Sequence, residues 1–173
     1  MKILIKSRAE IERLSQTQFT KHTALISIAD EGLDFAELQN APEFLLQITF
    51  DDVDNDIFVD ELGRKPTDDE RRELEIKYNM LTDTQALQIA SFYFDHKDSI
   101  STLICQCEHG QSRSAAVAAA ILEFRSRRGI VIFSHDNYYP NKVVFRKVLE
   151  ALKDCIPVFS AVTGDLQNES GNK

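Results

Sequence analysis

The chain has 173 residues and a formal net charge of −8, a length suited to one domain with a proper buried core and a charge that argues against nucleic acid as a stable partner, since such proteins carry a basic face. Hydrophobic residues make up 43%, and the longest apolar run, Ala115 to Phe124, is too short to span a bilayer. Three scattered cysteines give no disulfide framework, so the expectation is a cytoplasmic protein with no membrane contact.

Lys2 to Lys6 reads as a first strand, with too few apolar residues for a signal-peptide core. Ser7 with Glu10 three residues later is a capping box, which starts a helix at Arg8 and places Ile11 and Leu14 on its core side. Thr23 to Ala29 is apolar and β-prone, as a central strand is, and Asp30-Glu31-Gly32 breaks it. Phe44 to Phe50 is a third strand. Asp51 to Asp56 is then a dense acidic turn. It fails the calcium-loop pattern counted from Asp52, because Ile57 and Gly63 stand where Gly and Glu are required. An acidic loop after a strand end does reach the sheet edge at which open α/β sheets bind ligands.

Residues 57–80 read as a charged insert. Thr67 to Glu70 is a capping box, and Glu70 to Tyr78 has Leu74 and Ile76 as its few apolar points, which predicts a mostly exposed helix. A surface decoration and a lid or partner surface beside a site both fit this pattern. Thr82 to Gln85 is a further capping box, opening a helix to about Asp95 that buries Leu87, Ile89, Ala90, Phe92 and Phe94. Ser101 to Gln106 is a short apolar strand, and Ala115 to Arg128 has the composition of a buried helix. Arg125, Arg127 and Arg128 suit the helix dipole at its end, with Gly129 as the expected stop. Asn141 reads as the N-cap of a last helix, Lys142 to Lys153, with Phe145, Val148, Leu149 and Leu152 on one side. Residues 1–156 are expected as a single domain and 157–173 as a polar, partly disordered tail.

Between the last strand and the alanine-rich helix lies the stretch with the most chemistry: Cys107-Glu108-His109-Gly110-Gln111-Ser112-Arg113-Ser114. A loop of this length with a glycine curls so that successive N–H groups form an anion-binding nest, and the following helix N-terminus adds partial positive charge. Arg113 has the fork geometry to hold two phosphate oxygens. Such a field favours a thiolate over a thiol, and a thiolate beneath a gripped phosphoryl group is a nucleophile aimed at phosphorus. Cys105, Cys107 and His109 alternate, but the paired ligands of a structural zinc site are missing, so no metal is expected. Cys105 reads as a small buried strand residue, with Cys105 or Cys155 as a partner for oxidised Cys107 the alternative.

This segment resembles the phosphate-binding loop of the cysteine-dependent protein tyrosine and dual-specificity phosphatases: Cys, five residues, Arg, then Ser or Thr, with Gly third after the Cys. The likeness covers about 24–153. It departs at Gln106, where the family usually has His, and in the insert. The fold expected is α/β, with a central, mostly parallel sheet flanked by helices on both faces, and the resemblance sharpens it to the dual-specificity-phosphatase type. It implies Cys107 as nucleophile, Arg113 as phosphoryl clamp and Ser114 as hydrogen-bond donor to the thiolate, with Glu108, His109, Gly110, Gln111 and Ser112 as the substrate cradle and no cofactor. The family's general-acid pattern nominates Asp52 in Ile48-Thr49-Phe50-Asp51-Asp52, with Asp51 and Asp54 as alternatives. The chain has no Trp, so the Trp-Pro-Asp loop of the larger tyrosine phosphatases is not present. The loop carries no Lys, and Glu108 would repel additional phosphates. The partner implied is a single phosphate ester on a protein or small molecule. The alternatives are a catalytically weak phosphate-binding module and rhodanese- or arsenate-reductase-type thiol chemistry.

Overall fold

Strand β2 (Thr23–Ala29) is buried at every residue, which requires cover on both faces of its sheet. In the computed structural model, which describes residues 1–168, β2 lies inside a four-stranded sheet of order β1-β4-β2-β3. The other strands are β1 (Lys2–Ser7), β3 (Phe44–Thr49) and β4 (Thr102–Cys107). All three pairings are parallel, so this sheet is wholly rather than mostly parallel. The register sets Ser7 opposite Cys107 and Ser27 opposite Gln106. The C-terminal ends of β1, β2 and β4 therefore emerge on one edge.

Side-chain alternation divides the core. Ala24, Ile26 and Ile28 of β2, with Leu103, Cys105 and Cys107 of β4, join the larger cluster on one face. That face carries helices α4 (Asp83–His96), α5 (Arg113–Ser126), α6 (Ile130–Phe133) and α7 (Lys142–Asn168). Helix α5 is the innermost: Ala115 to Ile121 have no exposure at all, and such small side chains let it pack close to β4 on one side and α7 on the other. The opposite face is thinner. Ile11 of α1 (Arg8–Ser15) packs there with Leu25, Ile104 and Ala36.

Several expectations are corrected by packing. Leu14 is 40% exposed, because α1 is short and Ser15, four residues after Ile11, takes the interior position. The Ser15 hydroxyl accepts from Gln39 N–H and donates to Glu12 C=O. Leu87 is likewise exposed, and Tyr93 is buried instead. Helix α5 ends at Arg127 in the left-handed region (φ 57°), not at Gly129. Gly129 is required for another reason: a Cβ there would stand 2.7 Å from Ala119 C=O. Helix α7 continues past Lys153 to Asn168, while 169–173 of the expected tail lie outside the described residues. Its N-cap is Asn141, whose Oδ1 accepts from Val143 N–H and Val144 N–H at 3.0 Å each.

The insert holds two helices, α2 (Asp56–Leu62) and α3 (Asp68–Lys77), where one was predicted. Helix α3 begins in the Thr67–Glu70 capping box. Phe58 and Leu74 bury themselves with Met80 and Val143 of α7 in a third cluster. Lys147 of α7, 8% exposed, donates to Glu75 of α3 at 2.9 Å and lies 3.1 Å from Asp83 of α4. The insert is thus docked on the body of the domain. No helix among the described residues is long and apolar enough to cross a membrane.

Candidate active site

Strand β4 delivers Cys107 as its last residue, residues 108–112 turn, and α5 opens at Arg113. The Cys107 thiol is buried, with its Sγ 3.1 Å from Ser114 Oγ in the first turn of α5. The turn presses on the end of β1. Gly110 has φ +70°, and a Cβ on it would meet Ser7 N at 2.6 Å and Lys6 C at 2.8 Å, so glycine is required both by conformation and by space. Glu108 turns away from the loop centre toward α1. Its Oε2 accepts from Arg8 Nε at 2.6 Å and its carbonyl from Arg8 N–H at 3.0 Å. The rest of the Arg8 guanidinium donates to Phe35 C=O at 3.1 Å and to Asp34 C=O. His109 and Gln111 lie exposed on the rim, and Gln111 C=O accepts from Tyr139 N–H at 2.9 Å.

Arg113 is 3% exposed. Its Nη1 donates to Phe50 C=O at 2.7 Å and lies 2.7 Å from Asp30 Oδ1. Its Nε–H is buried without a hydrogen-bond acceptor and stands 3.9 Å from Asp52 Oδ2. A buried donor left unmet costs about 1–3 kcal/mol, and such costs concentrate at functional sites. Asp30 has no place among the sequence candidates, where it reads as a strand breaker. The signal available was its position, an acidic residue directly after the central strand on the ligand edge.

The three candidate acids separate clearly. Asp52 Oδ1 accepts from Ser112 Oγ at 2.7 Å and from Asn141 Nδ2 at 3.0 Å, which puts it beside the cysteine loop. Asp51 is occupied elsewhere, accepting from Glu31 N–H at 2.9 Å and Asn79 Nδ2 at 3.2 Å. Asp54 accepts from Asn55 N–H at 2.6 Å and Lys142 N–H at 3.4 Å. Asn141, foreseen only as a helix cap, also bonds Val53 C=O at 3.0 Å. Next to Asp52 and Ser112 opens a cleft of about 520 Å³ lined by Phe133, Tyr138 and Tyr139.

Gln106 points to the opposite face of β4 from Cys107. Buried there, its Oε1 accepts from Ser27 Oγ at 2.7 Å, tying β4 to β2 behind the loop. Complete burial, with Cys107 nearby as a smaller cause, pushes the Cys105 thiol far up, so it stays protonated. Burial also raises Cys155, opposed by a hydrogen bond with Ser91. Both are free cysteines in the larger core cluster.

The chain has the dual-specificity-phosphatase fold. It is similar to PTPMT1 in complex with PI(5)P, with a TM-score of 0.50 at 10% identity over 88% of this chain and 91% of that one. Tk-PTP in the active form is 14% identical over 90% and 94% of the two chains, with a TM-score of 0.47. Human DUSP28 is 14% identical over 88% and 92%, with a TM-score of 0.45. No protein-family model matches the chain, and no curated protein matches it. At 10% identity the likeness to PTPMT1 establishes the fold and leaves the chemistry to the residues themselves.

Proposed function

We propose that this chain is a phosphoric monoester hydrolase of the protein tyrosine or dual-specificity type, acting through a cysteinyl-phosphate intermediate. One observation carries the reading. A single loop holds Cys107 and Arg113 at its ends, with Ser114 Oγ 3.1 Å from the sulfur and Asp52 bonded to Ser112 of the same loop.

The steps follow from those positions. Loop amides and Arg113 donate to the nonbridging phosphoryl oxygens and meet the charge that gathers there in the transition state. Asp30 and Phe50 C=O hold the guanidinium, and the unmet Nε–H supplies one donor. The Cys107 thiolate attacks phosphorus in line, an S–P bond forms, and the P–O bond to the leaving group breaks with its electron pair staying on oxygen. Asp52, in its protonated form, gives that oxygen its proton. Water then attacks the cysteinyl-phosphate. Asp52 takes a proton from it, the S–P bond breaks, the electron pair returns to sulfur, and inorganic phosphate leaves. Ser114 donates to the thiolate as it re-forms. No step calls on a metal or other cofactor.

The substrate is a single phosphate ester on a protein or small molecule. Residues 108–112 of the loop include no Lys or Arg, and the nearby Arg8 is already engaged by Glu108. Residues 1–156 act as one catalytic domain, and a reducing cytoplasm suits its thiol. Wild type and Cys107→Ser, assayed on p-nitrophenyl phosphate with EDTA and then on a phosphopeptide panel, test the reading. Turnover that survives EDTA and is lost in the variant and on treatment with iodoacetate supports it. Turnover that needs Mg²⁺ contradicts it, as does thiosulfate or arsenate chemistry without phosphatase activity.

A further inference from the structure

The loop that carries Asp52 is fastened at each successive residue. Phe50 N–H donates to Ala29 C=O at 3.0 Å. Asp51 N–H donates to Asn79 C=O at 2.9 Å, and the Asp51 carboxylate accepts from Asn79 Nδ2 at 3.2 Å and from Glu31 N–H. Asp52 and Val53 both accept from Asn141 Nδ2. The Val53 side chain packs into the insert's own cluster of Phe58, Leu74, Met80 and Val143.

Three of these seven fastenings come from the insert. Asn79 follows α3 and sits at φ 45°, in the left-handed region that asparagine tolerates better than most residues. Asn79 N–H donates to Ile76 C=O at 3.2 Å, so its position is fixed by the end of α3. Helix α3 is itself held from below, because the buried Lys147 of α7 grips Glu75. A connected path of hydrogen bonds therefore runs from the domain body through α3 and Asn79 to Asp51, one residue from Asp52. The cleft beside the cysteine loop is lined by residues outside the insert.

We propose that the 57–80 insert is the mount of the acid loop and that Asn79 is a positioning residue for Asp52, acting through Asp51. This rests on the phosphatase reading above. Its distinctive consequence concerns the leaving group. A misplaced general acid slows expulsion of a basic leaving oxygen and spares one that departs without a proton.

The test is kcat for aryl phosphates of graded leaving-group acidity, from phenyl to dinitrophenyl, in wild type, Asn79→Gly, Asn79→Asp, which sets two carboxylates face to face, and the double exchange Asp51→Asn with Asn79→Asp. Asn79→Gly keeps the left-handed backbone and removes the amide. The double exchange swaps donor and acceptor and rebuilds the bond. The expected result is a loss of about tenfold on phenyl phosphate in either single variant, a small part of the range general acid catalysis covers. On the dinitrophenyl ester the loss is under about twofold, and the double exchange recovers the phenyl rate. An equal loss on every ester, or none, overturns the positioning role. A wild type that turns over no ester, or a fully active Cys107→Ser, overturns the phosphatase reading itself and this proposal with it.

Discussion

Arg8 donates Nε–H to Glu108 Oε2 at 2.6 Å across a sequence separation of 100 residues. The contact joins the first turn of α1 to the residue directly after Cys107. Both side chains are partly exposed, at 25% and 40%, so solvent screening keeps the pair's contribution to stability small, at most about 1 kcal/mol. Its larger effect is local. It cancels a carboxylate charge at the mouth of the proposed anion site and anchors the loop by side chain and backbone together.

Replacing Arg8 by Gln frees that charge. The inhibition constant of inorganic phosphate should rise by roughly three- to tenfold, the factor that ~1 kcal/mol of charge interaction sets. Glu108→Gln in the same chain should restore it. A rise that the second substitution leaves in place would mean that Arg8 acts only by holding the backbone.

Asp52→Asn removes the proposed proton donor and leaves the hydrogen bond from Ser112 a carbonyl to accept it. The rate on phenyl phosphate should fall by about 10²–10⁴. Equivalent behaviour in Asp54→Asn, with Asp52→Asn unaffected, would move the role to the neighbouring carboxylate.

Ser114 Oγ lies 3.1 Å from Cys107 Sγ, where in the proposed mechanism it donates to the thiolate as it re-forms. A hydrogen bond to a charged group is worth about 1.5–3 kcal/mol, so Ser114→Ala should slow breakdown of the cysteinyl-phosphate by roughly 10- to 100-fold. Stopped-flow measurement should then show a burst of p-nitrophenolate equal to the enzyme concentration. A slowed first turnover without a burst would place Ser114 in the attack step.

Gly110 and Gly32 both have positive φ, +70° and +76°, but only Gly110 has neighbours a Cβ would strike. Gly32→Ala should cost about 1–2 kcal/mol, the left-handed penalty alone. Gly110→Ala adds a clash with the Ser7 and Lys6 backbone, so thermal melting should show a fall several degrees larger and loss of phosphate binding. Equal melting temperatures for the two variants would mean that the loop is not pressed on β1.

Glu70 is held down to about 2 from its ordinary 4.5, first by Arg64, then by the backbone N–H and the hydroxyl of Thr67. A carboxylate depressed by folding stabilises the folded form above its ordinary value and loses that effect as pH falls toward the lowered one. The start of α3 should therefore loosen between about pH 4.5 and 2. Amide exchange in Asp68–Lys77, corrected for intrinsic rates, should rise over that range in wild type and be nearly flat in Glu70→Gln, which retains a capping side chain. A flat wild-type response would show that the insert's docking, not its cap, holds the helix.

What the sequence makes legible here is what lies close along the chain. Cys107 and Ser114 come together because a short turn between a strand and a helix leaves them nowhere else to go. The capping boxes at Ser7, Thr67 and Thr82 are four-residue patterns, and each one opens a helix. Helix α2 escapes notice because its first residue, Asp56, is acidic like the loop before it, and Asn55 caps it with no side-chain hydrogen bond. Asp30, Asn141 and Arg8 are harder. Asp30 reaches Arg113 only because β2 lies beside β4 in parallel register. Asn141 meets Asp52 only because α7 starts at the same sheet edge. Arg8 meets Glu108 only because β1 pairs with β4 on its other side. No local pattern records a strand order.

The most direct measurement is rapid-quench mass spectrometry of wild type, Asp52→Ala and Cys107→Ser mixed with p-nitrophenyl phosphate. Phosphate should be found on Cys107 in the first two, persisting longer in Asp52→Ala, and nowhere in Cys107→Ser, which should also release no p-nitrophenolate. Phosphate carried on another residue, or steady turnover by Cys107→Ser, would contradict a sulfur nucleophile in this loop.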